Sequence, residues 1–151
     1  RGRGGGRGGR MGGILLGHAA AVWFLAGLSW TVQLVNYPLM ARVGAERFPA
    51  YEAGHAPRMA LAVGPAWAVE GVTTLWLLLA PPPGAPAWLV WAGAVCAAVP
   101  VAVTLAFSVP AHTRLARGFD AAVHRRLVRT HTLRTAGWTA HGVVALALLA
   151  A

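Results

Sequence analysis

Four long apolar stretches, separated by shorter polar ones, dominate the hydrophobic pattern of this 151-residue chain. They cover about residues 14–35, 59–79, 87–108 and 132–151, and each is close to the roughly 20 residues that a helix needs to cross a bilayer. The pattern therefore predicts an all-α protein. It consists of one four-transmembrane-helix bundle over residues 12–151, with helical segments in its loops.

The connections between the four spans differ sharply in charge. The second and third spans are joined by the uncharged segment PPPGAP, residues 81–86, which forces them into an antiparallel hairpin. The two longer loops, residues 36–58 and 109–134, carry nine arginines and lie on the same side of a four-span protein. Arginine-rich loops stay in the cytoplasm, so we expect cytoplasmic loops and periplasmic N- and C-termini.

Composition supports a membrane protein of bacterial origin. The chain is 57% hydrophobic and 11% charged, far from the average of soluble proteins, so the lipid bilayer is the expected partner. All thirteen basic residues are arginine, a bias that suggests a GC-rich bacterial genome and hence a bacterial inner membrane. The loop arginines explain the net charge of +9 without nucleic acid, which we do not expect as a partner. Cys96 is the single cysteine, which excludes a disulfide within the chain.

The polar segments before and between the spans also carry recognisable signals. Residues 1–11 contain RGRGGGRGGR and are interpreted as a disordered basic tail, or as sequence upstream of a start at Met11. Asp120 is a predicted N-cap for a helix that continues into the fourth span. The apolar residues Leu115, Phe119, Val123 and Leu127 recur every four positions. That stripe predicts a helix lying at the membrane interface.

Glu70 is the only charged residue between Arg58 and Arg114, and apolar sequence surrounds it on both sides. At helical rise it lies about 16 Å into the membrane, near the midplane. A carboxylate at that depth is costly and usually faces a bundle interior, a partner or a water-filled cavity. We therefore predict Glu70 as the centre of a functional site, with His55 and His112 as further catalytic candidates.

The remaining polar candidates lie in the cytoplasmic half of the bundle, close to the arginine-rich loops. They are predicted to form a cytoplasm-facing pocket around Glu70, and comprise Gln33, Asn36, Tyr37, Arg58, Arg134, Trp138 and His141.

Three interpretations of these residues remain open. In the first, a transition metal is held by ligands from Glu70, His55, His112 and His141, since imidazole and carboxylate suit Zn, Cu or Fe. His124 and His131 are not included, because they are expected on an exposed, arginine-rich helix. In the second, carboxylate and imidazole groups transfer protons to an apolar substrate, as in an oxidoreductase or isomerase. In the third, no cofactor is bound and Glu70 only fixes the register of the helices.

A non-enzymatic function is also compatible with the sequence. The chain could be a small transporter or an accessory subunit of a larger membrane complex. A transporter of this size would act as a homo-oligomer, because four helices rarely enclose a path alone. The sequence thus predicts an integral membrane protein, and leaves its substrate open.

Three stretches resemble a group of small, uncharacterised bacterial four-helix membrane proteins: VQLVNYPLMARVGAERFPAYEAGH, the span around Glu70, and VPAHTRLARGFDAAVHRRLVRTHTLRTAGW. The step Asn36-Tyr37-Pro38 is similar to one in anthrone-oxygenase-like membrane proteins, which share the four-span plan. The resemblance implies that a set of residues belongs to the family pattern: Gln33, Tyr37, Pro38, Tyr51, His55, Arg58, Glu70, His112, Asp120, Arg134 and Trp138. It also implies asparagine-tryptophan where this chain has His131-Thr132, which argues against His131 as an essential ligand.

Overall fold

The computed structural model describes residues 5–151, and its regular elements are all helical. In chain order they are α1 (Gly5–Thr31), the π-helical segment π1 (Val32–Asn36), α2 (Tyr37–Met40), α3 (Phe48–Leu79), α4 (Ala87–Val103), the π-helical segment π2 (Thr104–Ser108), α5 (Val109–Leu115) and α6 (Ala121–Ala150). Because π1 joins α1 to α2 and π2 joins α4 to α5, these elements form four continuous helices. All four are long and apolar enough to cross a membrane. The predicted all-α, four-helix fold is confirmed.

The four long helices form a closed bundle in which neighbours in sequence are neighbours in space. Helix α6 packs against α1 and α4, and α3 packs against the same two helices. The turn between α3 and α4 contains Gly84, whose φ of 89° suits glycine because it has no Cβ. The predicted hairpin at PPPGAP is therefore present.

The helices at the arginine-rich end are longer than the predicted spans. Helix α3 begins at Phe48, and α6 begins at Ala121, both well before the apolar stretches. The Asp120 carboxylate accepts hydrogen bonds from the backbone N–H groups of Ala122 and Val123, at 2.7 and 3.1 Å. The predicted N-cap, and the continuation of this helix into the fourth span, are confirmed.

At the other end of the chain, α1 begins at Gly5, within the segment for which the sequence predicts a disordered tail. The first part of that predicted tail, residues 1–4, lies outside the described residues.

The predicted interfacial helix over residues 115–127 is wrong. Leu115 and Leu127 are fully buried, and they pack in one apolar cluster with Tyr37 and Phe48. The chain reverses between α5 and α6, so the apolar stripe faces α2 and the start of α3 rather than the membrane surface. The two arginine-rich loops are therefore joined by a common apolar core.

Helix α3 contributes little to the interior of the bundle. Its buried residues are Phe48, Glu52, Glu70 and Leu77, while large apolar side chains such as Leu61 and Leu79 are exposed. An exposed apolar helix face suits contact with lipid chains. Glu52 and Glu70 are 18 residues apart, which is five helical turns, so both carboxylates lie on the same inward face.

Candidate functional site

A cavity of about 620 Å³ lies between α1, α3, α5 and α6, at the arginine-rich end of the bundle. This volume is within the range of about 300–1,000 Å³ that is usual for small-molecule sites. Most of its wall is apolar and includes Leu28, Met59, Val63, Trp67 and Trp138. The cavity can therefore hold a largely apolar molecule.

Part of the cavity wall is exposed at the surface of the bundle. Ala56 and Ala60 of α3 and Val109 of α5 line it and are also exposed, so they form its rim. Both π-helical segments contribute to its wall, through Val32 in π1 and Ser108 in π2. Single π-helical turns inside longer helices occur frequently at functional sites.

A carboxylate–histidine pair forms the polar side of this cavity. His112 Nδ1 donates a hydrogen bond to Glu52 Oε1 at 2.6 Å, and the Glu52 side chain is only 1% exposed. The Tyr37 hydroxyl lies 3.4 Å from His112 Nε2. The second carboxylate oxygen, Glu52 Oε2, is buried and has no hydrogen-bond partner. The pair thus resembles the oriented acid–base groups that enzymes use for proton transfer.

Three aromatic rings are stacked beside this carboxylate–histidine pair. Tyr51 and His55 stack with ring centroids 5.5 Å apart, and His55 stacks on His112 at 5.9 Å. His55 also lines the cavity. The stack keeps the His112 imidazole in a fixed orientation beside Glu52.

Two further polar side chains at the cavity are unpartnered. Arg134 lines the cavity, and its Nε atom is buried without a hydrogen-bond partner. Ser108 Oγ is also buried and unpartnered. Buried polar groups in proteins are almost always hydrogen-bonded, so unsatisfied groups on residues that line a cavity are candidates for contact with a ligand.

His124 and His131 are buried, which corrects the prediction that they lie on an exposed helix. His131 Nδ1 donates to Gln33 Oε1 at 2.9 Å, and its ring lies 4.9 Å from that of Tyr37. His124 Nε2 donates to the Tyr37 carbonyl at 3.0 Å. The arginines between the two histidines occupy the opposite, exposed face of α6. His131 also lines the cavity, so it belongs to the candidate site.

Glu70 belongs to a second buried cluster, outside the cavity. His141 Nδ1 lies 3.2 Å from Glu70 Oε1, and the Thr74 hydroxyl donates to the same oxygen at 3.3 Å. The His18 ring is 5.0 Å from that of His141, and its Nδ1 lies 2.8 Å from Thr73 Oγ1. Because three helices supply these groups, the cluster ties α1, α3 and α6 together.

The predicted single pocket around Glu70 is therefore two clusters in the structure. Five predicted residues line the cavity: Tyr37, His55, His112, Arg134 and Trp138. Gln33 contacts the site through His131. Asn36 and Arg58 are not among the lining residues, and Arg58 is exposed and donates to the Gly54 carbonyl at 2.8 Å. Glu70 and His141 lie one helical turn beyond Trp67 and Trp138.

Within residues 5–151, the structure does not bring the predicted metal ligands together at one point. No three His, Cys, Asp or Glu side chains in that part of the chain are grouped so that they could hold a metal ion. The four candidate ligands are divided between the clusters. His55 and His112 lie at the cavity, and Glu70 and His141 lie in the second cluster.

Sequence reasoning missed Glu52, the best-placed carboxylate of the cavity. Its signal was present, because Phe48, Glu52 and His55 recur at helical spacing and so share one face. Glu46, Arg47 and Arg58 surround this stretch, which made it look like a solvated loop. Ser108 and His18 were also missed, because single polar residues in apolar spans carry no pattern.

Comparisons of the chain with protein-family models, with curated proteins and with solved structures found no match. The resemblance to anthrone-oxygenase-like membrane proteins therefore stays a prediction.

Proposed function

We propose that this membrane protein binds a largely apolar small molecule in the cavity and transfers protons to and from it through Glu52 and His112. One observation carries the proposal. Glu52, a buried carboxylate that is oriented by a histidine and has one unpartnered oxygen, lines a cavity whose wall is otherwise mostly apolar. The exposed lining residues on α3 and α5 would give such a molecule a route into the cavity from the bilayer.

The geometry favours isomerase-type chemistry. Because His112 Nδ1–H occupies Glu52 Oε1, the free oxygen Oε2 can accept a proton from a carbon next to a carbonyl group. Returning that proton to a different carbon gives an isomer and leaves the redox state of the substrate unchanged. Such positioned acid–base groups typically contribute a rate factor of about 10²–10⁴.

Binding can be tested with ω-bromoundecanol, whose bromine quenches tryptophan fluorescence on contact. Trp67 and Trp138 line the cavity, so we expect saturable quenching in purified protein. Val63→Phe should weaken that quenching because the larger side chain fills the cavity. The matched control is Val72→Phe on the exposed face of the same helix, which should bind as the wild type does. Equal quenching in both variants would contradict binding in this cavity.

Proton transfer can be tested with methyl nonyl ketone in deuterated buffer. We expect the protein to speed deuterium uptake next to the carbonyl group, as measured by mass spectrometry. Glu52→Gln should lower this protein-dependent rate by about 10²-fold or more, while Glu46→Gln, at an exposed carboxylate, should leave it unchanged. A Glu52→Gln protein as active as the wild type would exclude Glu52 as the base.

We also infer that both arginine-rich loops face the cytoplasm of a bacterial inner membrane, with the N- and C-termini on the periplasmic side. The nine loop arginines, against none in the PPPGAP connection, support this orientation. The proton-transfer site would then lie near the cytoplasmic side. Assembly into a homo-oligomer or a larger membrane complex stays a prediction.

A further inference from the structure

The charge of Arg134 has no carboxylate to balance it in the part of the chain that the structure describes. The two ion pairs there join His112 to Glu52 and His141 to Glu70, and neither includes Arg134. Its Nε atom is buried without a hydrogen-bond partner. A guanidinium group has five N–H donors and no acceptor, so it needs oxygen acceptors from elsewhere.

The position of Arg134 indicates where an anionic partner for its unbalanced charge could bind. It lies in α6, within one of the four helices that can span a membrane, and it lines the same cavity as Glu52. Charged side chains within membrane-spanning helices normally pair with another group or face a functional cavity. Arg129 is five residues earlier on the same helix and is exposed, so it provides a natural comparison.

We infer that the molecule bound in the cavity is an acidic amphiphile, whose anionic oxygen group is held by Arg134. This inference rests on the proposed function, because it names the class of ligand for the same cavity. Arginine binds carboxylates with two parallel, charge-assisted hydrogen bonds, which neutral oxygen groups cannot match. The buried Ser108 hydroxyl, also unpartnered and on the cavity wall, offers a further donor.

The apolar wall accommodates the rest of such a ligand. Leu28, Met59 and Trp67 line the cavity without presenting a charge, so a hydrocarbon chain or ring system can lie against them. Arg134 makes no ion pair with Glu52, whose carboxylate is bonded by His112 at 2.6 Å. The cavity thus has a cationic group for the head of the ligand and an apolar surface for its tail.

A matched pair of ligands tests the inference. ω-Bromoundecanoate and ω-bromoundecanol have the same chain and differ in the charge of the head group. At about pH 8 the acid is ionised, and we expect it to quench tryptophan fluorescence with at least roughly tenfold higher affinity than the alcohol. Arg134→Gln should remove this preference and leave the affinity for the alcohol within about twofold. Arg129→Gln, which removes the same charge at an exposed position, should keep the preference.

The outcomes separate this inference from the proposed function. If the alcohol binds as well as the acid does, or if Arg134→Gln keeps the preference, the anionic-ligand inference is wrong and cavity binding still stands. If Arg134→Gln weakens both ligands equally, Arg134 only supports the shape of the cavity. If neither ligand quenches the wild-type protein, both the proposed function and this inference fail.

Discussion

At the scale of single residues, the buried contact between Glu70 and His141 should contribute strongly to stability. Both side chains are almost completely buried, and their nearest polar atoms are 3.2 Å apart. Removing one partner of a buried pair leaves the other without compensation, which typically costs about 3–5 kcal/mol. We expect Glu70→Ala to lower the free energy of unfolding by about 3 kcal/mol, measured by denaturant titration in detergent.

Glu46→Ala is the matched control, because Glu46 is exposed and should change stability little. Combining Glu70→Ala with His141→Ala then measures the interaction itself. Residues in direct contact give coupling energies of about 0.5–3 kcal/mol in such a cycle. Strictly additive effects would show that Glu70 and His141 do not stabilise each other.

Some of the buried polar residues could be identified from the sequence, and others could not. Glu70 was predictable as a buried carboxylate, because it is isolated in apolar sequence. Its partner was not, because the contact with His141 depends on how α3 and α6 pack side by side. His131 was misjudged from its arginine neighbours, although His131, Trp138 and His124 are seven residues apart and therefore share one face of a helix.

At the scale of elements, the start of α6 depends on Asp120. Hydrogen bonds from the backbone N–H groups of Val123 and Ala122 lower the pKa of the Asp120 carboxyl below its ordinary value of 3.8. A lowered pKa in the folded state means that the carboxylate stabilises the protein above pH 3.8, and that this contribution disappears as the pH falls toward the folded-state pKa.

We therefore expect Asp120→Ala to be less stable than the wild type at neutral pH, because both hydrogen bonds are lost. The difference in melting temperature between the two proteins should shrink below about pH 4, as the wild-type carboxyl becomes protonated. Asp120→Asn is the control, since asparagine also caps helices but does not titrate. A difference between wild type and Asp120→Ala that stays constant down to pH 3 would contradict the N-cap role.

The contact between α4 and α6 depends on a glycine. A Cβ atom at Gly137 would lie 3.0 Å from Pro100 Cδ and 3.3 Å from Val99 Cγ1. The rigid proline ring cannot turn away as a flexible side chain would. At Gly71 in α3, an added Cβ meets nothing within 4 Å.

These two glycines should respond to alanine in opposite directions. Alanine favours a helix over glycine by about 1 kcal/mol, so Gly71→Ala should be neutral or stabilising. Gly137→Ala should be destabilising by about 1 kcal/mol, because overpacking typically costs about 1–3 kcal/mol. Thermal unfolding of both variants measures the difference. Equal stability would mean that α4 and α6 are not packed this closely.

At the scale of the whole molecule, the hydrophobic pattern predicted the four helices because each apolar stretch is continuous and long enough to span a membrane. It did not predict the cavity. The cavity lies beside α3, which buries few of its side chains and makes polar contacts with other helices through Glu52 and Glu70. The distance between α3 and the other helices depends on contacts among residues far apart in the chain. A local sequence pattern does not predict such contacts.

The orientation of the molecule gives the last prediction. The loops 36–58 and 109–134 meet in one apolar core, so they must lie on the same side of the membrane. With nine arginines on that side, we expect alkaline phosphatase fused after Ala151 to be active, because the enzyme folds only in the periplasm. Fusion at Gly118, in the turn before α6, should be inactive. The reverse result would place the cavity and its Glu52–His112 pair at the periplasmic side.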